Sequence, residues 1–241
     1  MPLKYDWSAY KTVVLPTVIM LSAEDTQRLA DFAAAGGRVV IGYATGLIDE
    51  NFHTWLGGYP GAGDGLLCEM LGIRGEEFNI LGAEAEGEPS EIRLSSGAVT
   101  RLWQNDVNVD GERAQVLATY EGEEADEWEL GGTAAITRNP YGSGETYFVG
   151  CDLNVADLTE FVRENIVEDS ANVANPADSD VLHTVRKSAD ATFDFYLPRG
   201  KKEIALQGIE GEPIYLFQAE AEEQTGSYTV HRNGVLVVKR A

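Results

Sequence analysis

Residues 12–43 read TVVLPTVIMLSAEDTQRLADFAAAGGRVVIGY. Thr12 to Leu15 is a short apolar run closed by Pro16, the pattern of a buried strand. Ser22 then opens a helix predicted over Ala23 to Ala35, with Asp25 three residues on as its capping-box partner. Leu29, Phe32 and Ala33 recur at i, i+3 and i+4 and form its buried stripe. Gly36-Gly37 ends the helix, and the second apolar run, Val39 to Tyr43, follows at once. A strand, helix and strand spaced this closely predict a parallel pair joined by a right-handed crossover, so the fold class is α/β.

The next stretch, Asp49-Glu50-Asn51-Phe52-His53-Thr54-Trp55-Leu56-Gly57-Gly58-Tyr59-Pro60-Gly61, leaves the carboxyl end of that second strand. Loops at this end of a parallel sheet are where α/β folds place ligands and partners. Here one loop carries aromatic rings, a histidine and glycines that permit backbone other residues avoid. Phe52, His53, Trp55, Leu56, Tyr59 and Pro60 are the candidate contact residues. The alternative, open at this point, is that these rings plug their own domain. A short helix over Asp64 to Leu71 follows.

The chain is strongly acidic, with 18 basic and 40 acidic side chains and a net charge of −22. Such a chain repels phosphate backbones and anionic membranes, which excludes nucleic acid as a natural partner. There is no apolar run long enough for a membrane span and no signal-peptide pattern. The two cysteines, Cys68 and Cys151, sit far apart in apolar surroundings, so they are expected reduced and buried in a cytoplasmic protein.

Beyond Leu71 the pattern turns to β. Glu76 to Leu81, Ser90 to Leu94, Val99 to Val109, Gln115 to Tyr120, Gly132 to Arg138 and Glu145 to Gly150 read as strands, antiparallel in part. Glu121 to Glu127 reads as a solvated acidic turn, and Asn139 to Gly144 as a turn. Leu153 to Val167 reads as a helix with Leu158, Phe161, Val162 and Ile166 on one face. Residues 1–168 are thus one α/β domain, 169–180 a linker, and 181–241 a small antiparallel β-sandwich domain. In the last domain Asn233-Gly234 predicts a hairpin between Tyr228 to His231 and Val235 to Lys239.

Catalytic patterns are sparse. Cys151 ends a predicted strand, as a nucleophile would, but its flanks lack the second glycine of a nucleophile elbow. Of the histidines, only His53 shares its domain. Neither a Cys-x-x-Cys nor a His-x-x-x-His pair occurs, and the glycine-rich loop lacks the lysine of a phosphate cradle, so no metal and no cofactor is expected. Two alternatives to a non-catalytic reading stay open: an amidotransferase-like hydrolase using Cys151, and a sugar-binding module using Trp55 and Tyr59.

Tyr10 to Pro16, Ala35 to Val40, Asp49 to Asn51, Trp55-Leu56-Gly57-Gly58-Tyr59-Pro60-Gly61 and Leu71 to Phe78 resemble the trimerisation domain of glycoside hydrolase family 42 β-galactosidases. Asn139 to Gly150 resembles that domain's last hairpin, and Val181 onward is similar to the family's small carboxy-terminal β domain. The resemblance implies a flavodoxin-like, class I glutamine amidotransferase-like fold without the catalytic cysteine. It implies self-association as a homotrimer beside a catalytic (β/α)8 barrel that supplies both glutamates. A barrel takes about 250 residues, and this chain has no room for one. No family catalytic residue has a matching position. The chain is therefore expected to be a non-catalytic assembly fragment of an enzyme that hydrolyses terminal β-D-galactosides with retention. The same resemblance places two strands before Thr12, so the domain is expected to be truncated at its start, with Thr12 to Leu15 at an open sheet edge.

Overall fold

The computed structural model describes residues 6–56, 58–80, 91–127, 129–167, 180–200 and 203–240. It divides into two compact units, Met1–Phe161 and Val162–Ala241. The linker predicted over 169–180 lies, apart from Asp180, outside the described residues.

The first unit opens with β1 (Thr12–Leu15), α1 (Ala23–Ala34) and β2 (Arg38–Gly42). Ser22 caps α1, its hydroxyl accepting from the Asp25 amide at 3.1 Å. Leu29, Ala30 and Ala33 face inward, and Phe32 packs at the rim of the same cluster. β1 and β2 run parallel in register from Thr12 opposite Arg38 to Leu15 opposite Ile41, as the spacing predicts.

Next come α2 (Leu66–Leu71), β3 (Ile73–Ile80), β4 (Ile92–Leu94), β5 (Val99–Thr100), β6 (Trp103–Val109) and β7 (Gln115–Glu121). α3 (Glu123–Glu127), β8 (Ala134–Tyr141), β9 (Gly144–Val149) and α4 (Val155–Asn165) complete the run. The main sheet has the order β1-β2-β9-β8-β7-β4-β5. Its first three strands are parallel and the rest antiparallel. β3 and β6 form a separate antiparallel ribbon. Among the described residues β1 pairs with β2 alone, which makes it the edge strand, and Val14 is 55% exposed there.

Helices α1 and α2 pack on one another and on β2, β8 and β9. Leu15, Leu21, Leu29, Ile41, Leu67, Met70 and Phe148 form the centre of this core. Glu145 fastens the middle of the sheet. One carboxylate oxygen accepts from Arg38 Nε at 2.5 Å and the other from Arg138 Nε at 2.7 Å, so a single side chain on β9 grips both neighbouring strands. Thr146 Oγ1 and Asn139 Nδ2 donate to the Met70 carbonyl, which satisfies the end of α2 from the sheet.

Several sequence expectations are corrected. Val99 to Val109 is two strands, because Arg101-Leu102 turn around Asp152: one carboxylate oxygen accepts from Thr100 Oγ1 and from the amides of residues 101, 102 and 103. The acidic turn is the short helix α3. β8 runs on through Asn139-Pro140-Tyr141, leaving only Gly142-Ser143 to turn into β9. On α4, Phe161 is buried against Tyr147 but Leu158 is exposed, so the expected apolar face is only partly covered.

The second unit is antiparallel, with β10 (Val181–Lys187), β11 (Thr192–Pro198), β12 (Glu203–Leu206), β13 (Glu212–Ala221) and β14 (Tyr228–Arg240). These make one five-stranded sheet, where two facing sheets of a sandwich are expected from the pattern. The predicted hairpin at Asn233-Gly234 is also overturned. Residues 228–240 are a single strand that bulges there, with Asn233 at φ 63°. A Cβ on Gly234 would lie 2.5 Å from the Gln218 carbonyl oxygen of β13, so the two strands touch across the bulge. Beyond the bend β14 changes neighbours: its first half pairs with β12 and its second with β11. Ile204, Leu206, Tyr228, Val230, Leu236 and Val238 form the core.

Candidate assembly surface

The loop after β2 is built in two layers. Its first turn is an Asx turn: Asp49 Oδ1 accepts from the amides of Asn51 and His53, both at 2.8 Å. These backbone bonds, led by that from His53, hold the Asp49 carboxyl below its usual pKa. The turn forces Phe52 to φ 65° and points it outward, 75% exposed. His53 is also outward, with Nδ1 3.5 Å from Asp49.

The second layer is anchored inward. Trp55 donates its indole N–H to the Leu21 carbonyl at 3.1 Å, and its amide bonds the Leu47 carbonyl. Tyr59 Oη accepts from the Ala44 amide at 2.7 Å, and Tyr59 exchanges backbone bonds with Gly75 on β3. Burial pushes the Tyr59 hydroxyl up to about 12. Pro60 is buried, and its carbonyl accepts from the Cys68 thiol at 3.1 Å. Between the two anchors Leu56 stands out, 83% exposed.

The six residues predicted from the sequence therefore divide. Phe52, His53 and Leu56 face solvent, Trp55 and Tyr59 are half-buried struts, and Pro60 is inside. Beside them the structure adds residues that the sequence did not bring together. Leu47, Thr54, Trp55, Gly58, Tyr59, Gly61, Glu77 and Phe78 line a cleft of about 380 Å³. Phe78 stacks on Trp103 with centroids 4.4 Å apart, and Trp103 stacks on Tyr43, so that wall is rigid. The available signal was Gly75: a glycine inside a strand pattern marks close approach by another backbone, here that of Tyr59.

Cys151 is buried, and burial, reinforced by Asp152 and Asp157, holds its thiol well above the ordinary range. A thiol so placed is the opposite of an activated nucleophile. Cys68 is pushed up to about 11, again by burial. Among the described residues no His, Cys, Asp and Glu cluster is arranged to hold a metal ion, and no helix is long and apolar enough to cross a membrane.

Comparison with known proteins gives concordant results. The family model of the β-galactosidase trimerisation domain matches residues 1–173. β-Galactosidase BbgII of Bifidobacterium bifidum is 33% identical over 243 residues, covering 99% of this chain and 34% of its own. A β-galactosidase of an Arthrobacter species is 32% identical over 181 residues, covering 75% of this chain and 24% of its own. In fold, the chain is similar to the crystal structure of β-galactosidase from Bacillus circulans sp. alkalophilus, with a TM-score of 0.71 and 24% identity over 99% of this chain and 34% of that one. The chain thus spans about a third of the length of the relatives it matches over its whole extent.

Proposed function

The chain belongs to the β-galactosidase trimerisation domain family, and from that premise we propose that its work is assembly rather than catalysis. The first unit holds copies together as a homotrimer through Phe52, His53 and Leu56, backed by the half-buried Trp55 and Tyr59 while Pro60 holds the loop from inside, and the whole supports the (β/α)8 barrel of a parent enzyme. That enzyme hydrolyses terminal β-D-galactosides with retention; this chain alone does not. One observation carries the reading: two large apolar side chains, Phe52 and Leu56, are held outward by a loop whose other rings are tied inward. Rigid, exposed apolar anchors are what an interface core requires.

The finer fold reading, flavodoxin-like and related to class I glutamine amidotransferases, is supported by the parallel order β1-β2-β9 with α1 between the first two strands. Amidotransferase chemistry is disfavoured by the buried, protonated Cys151. A cytoplasmic location is in keeping with two unpaired cysteines.

Sedimentation velocity of the purified chain tests the proposal. The expected result is a concentration-dependent species of three chains. A monomer at every accessible concentration overturns it.

A further inference from the structure

Phe52 and Leu56 project from the loop, and immediately beside them lies the cleft lined by Leu47, Thr54, Trp55, Tyr59, Glu77 and Phe78. Neither projecting side chain lines the cleft of its own copy. Building on the assembly reading above, we propose that Phe52 and Leu56 of one copy insert into this cleft on the next copy, in a one-way contact that closes as a ring of three.

Both halves of the contact are stiff before they meet. The projecting half is fixed by the double acceptance at Asp49 Oδ1 and by the Trp55 bond to Leu21. The receiving half is fixed by the Tyr59 bond to Ala44 and by the Phe78–Trp103 stack. Little conformational freedom is lost on docking, which is how a small apolar contact becomes strong. Such a contact is needed, because copies carrying −22 each repel one another at longer range.

Projection and cleft share one loop, with Thr54 and Trp55 in the cleft wall between Phe52 and Leu56 in sequence. A one-way contact joining two such near-adjacent patches lies close to the rotation axis, so the loops of all copies converge there. One-way contacts form closed rings when the rotation permits, and a trimerisation domain sets the number at three.

The test uses the full chain. Leu56→Asp changes an exposed side chain and leaves the fold intact; it is expected to shift the sedimenting species from three chains to one. Separately, Leu56→Cys and Glu77→Cys chains are mixed, oxidised and run under denaturing conditions. The mixture is expected to give a covalent two-chain product that neither variant gives alone. A wild-type trimer that Leu56→Asp leaves trimeric overturns this contact but not the assembly role. So does cross-linking of either variant with itself at the rate of the mixture. A monomeric wild-type chain overturns both.

Discussion

The Ala44 amide donates to Tyr59 Oη at 2.7 Å, and this bond joins the end of β2 to the far side of the aromatic loop. Ala44 is buried and sits at φ 56°, so its N–H has left the ladder of the sheet. The phenol takes the place of a strand partner. The loop is thereby part of the core, although half of its rings face solvent.

Tyr59→Phe keeps the ring and removes the acceptor. A buried amide left without a partner costs about 1–3 kcal/mol. Urea unfolding should show that loss with an unchanged denaturant slope. A loss near zero would mean that the bond does not secure the loop.

The same hydroxyl makes the unit sensitive to alkali. Burial raises its pKa from 10.0 to about 12. A group raised in the folded state contributes stability that is full below the unfolded value and lost as pH climbs through the folded one. Stability should therefore fall between pH 10.0 and about 12, and less steeply in Tyr59→Phe. Thermal unfolding across that window checks the difference.

Gly61 has no room for a side chain. A Cβ there would lie 2.6 Å from the Gly58 carbonyl oxygen and 2.8 Å from Trp55 Cβ. Gly61→Ala should cost about 1–3 kcal/mol through forced displacement and shift the tryptophan emission, because Trp55 must move. Unchanged emission and stability would show that the turn is loosely held.

In the second unit Asp194, 2% exposed, joins three strands: it accepts from Arg240 Nε at 2.6 Å and lies 2.7 Å from His183 Nε2. Burial alone would raise its pKa, but the bonds from Arg240 and His183 outweigh it and leave the carboxyl below the usual value. A carboxyl depressed in the folded state stabilises above its unfolded pKa and loses that contribution on acidification. Unfolding of this unit should become easier below about pH 4, and Asp194→Asn should flatten the dependence while lowering stability at neutral pH.

Cys151 should resist alkylation by iodoacetamide near neutral pH in the folded chain and react on unfolding, since only the thiolate attacks. Fast modification of the native protein would contradict the burial that separates this site from a nucleophile.

Residues near one another in the chain made most of the elements legible from the sequence alone. The Ser22 cap, the Leu29–Ala33 stripe and the two apolar runs around them each depend on neighbours within a few positions, and β1, α1 and β2 appear as predicted. The aromatic loop was also recognisable as a contact candidate, through its residue types and its place after a parallel strand. Its division into Phe52 and Leu56 outside and Trp55 and Tyr59 inside was not. That depends on Leu21 and Ala44 as partners, and nothing local to residues 52–59 names them. The turn at Arg101-Leu102 depends in the same way on Asp152, about fifty positions later. Asn233-Gly234 carries a strong local hairpin signal, yet it lies inside β14. Both of its flanks have partners in one sheet, β12 and β11 on one edge and β13 on the other. Local sequence determined where backbone could turn and which side chains sought burial. The tertiary structure decided which distant groups met the unpaired amides and carbonyls, because a buried polar group must find a partner wherever the fold supplies one.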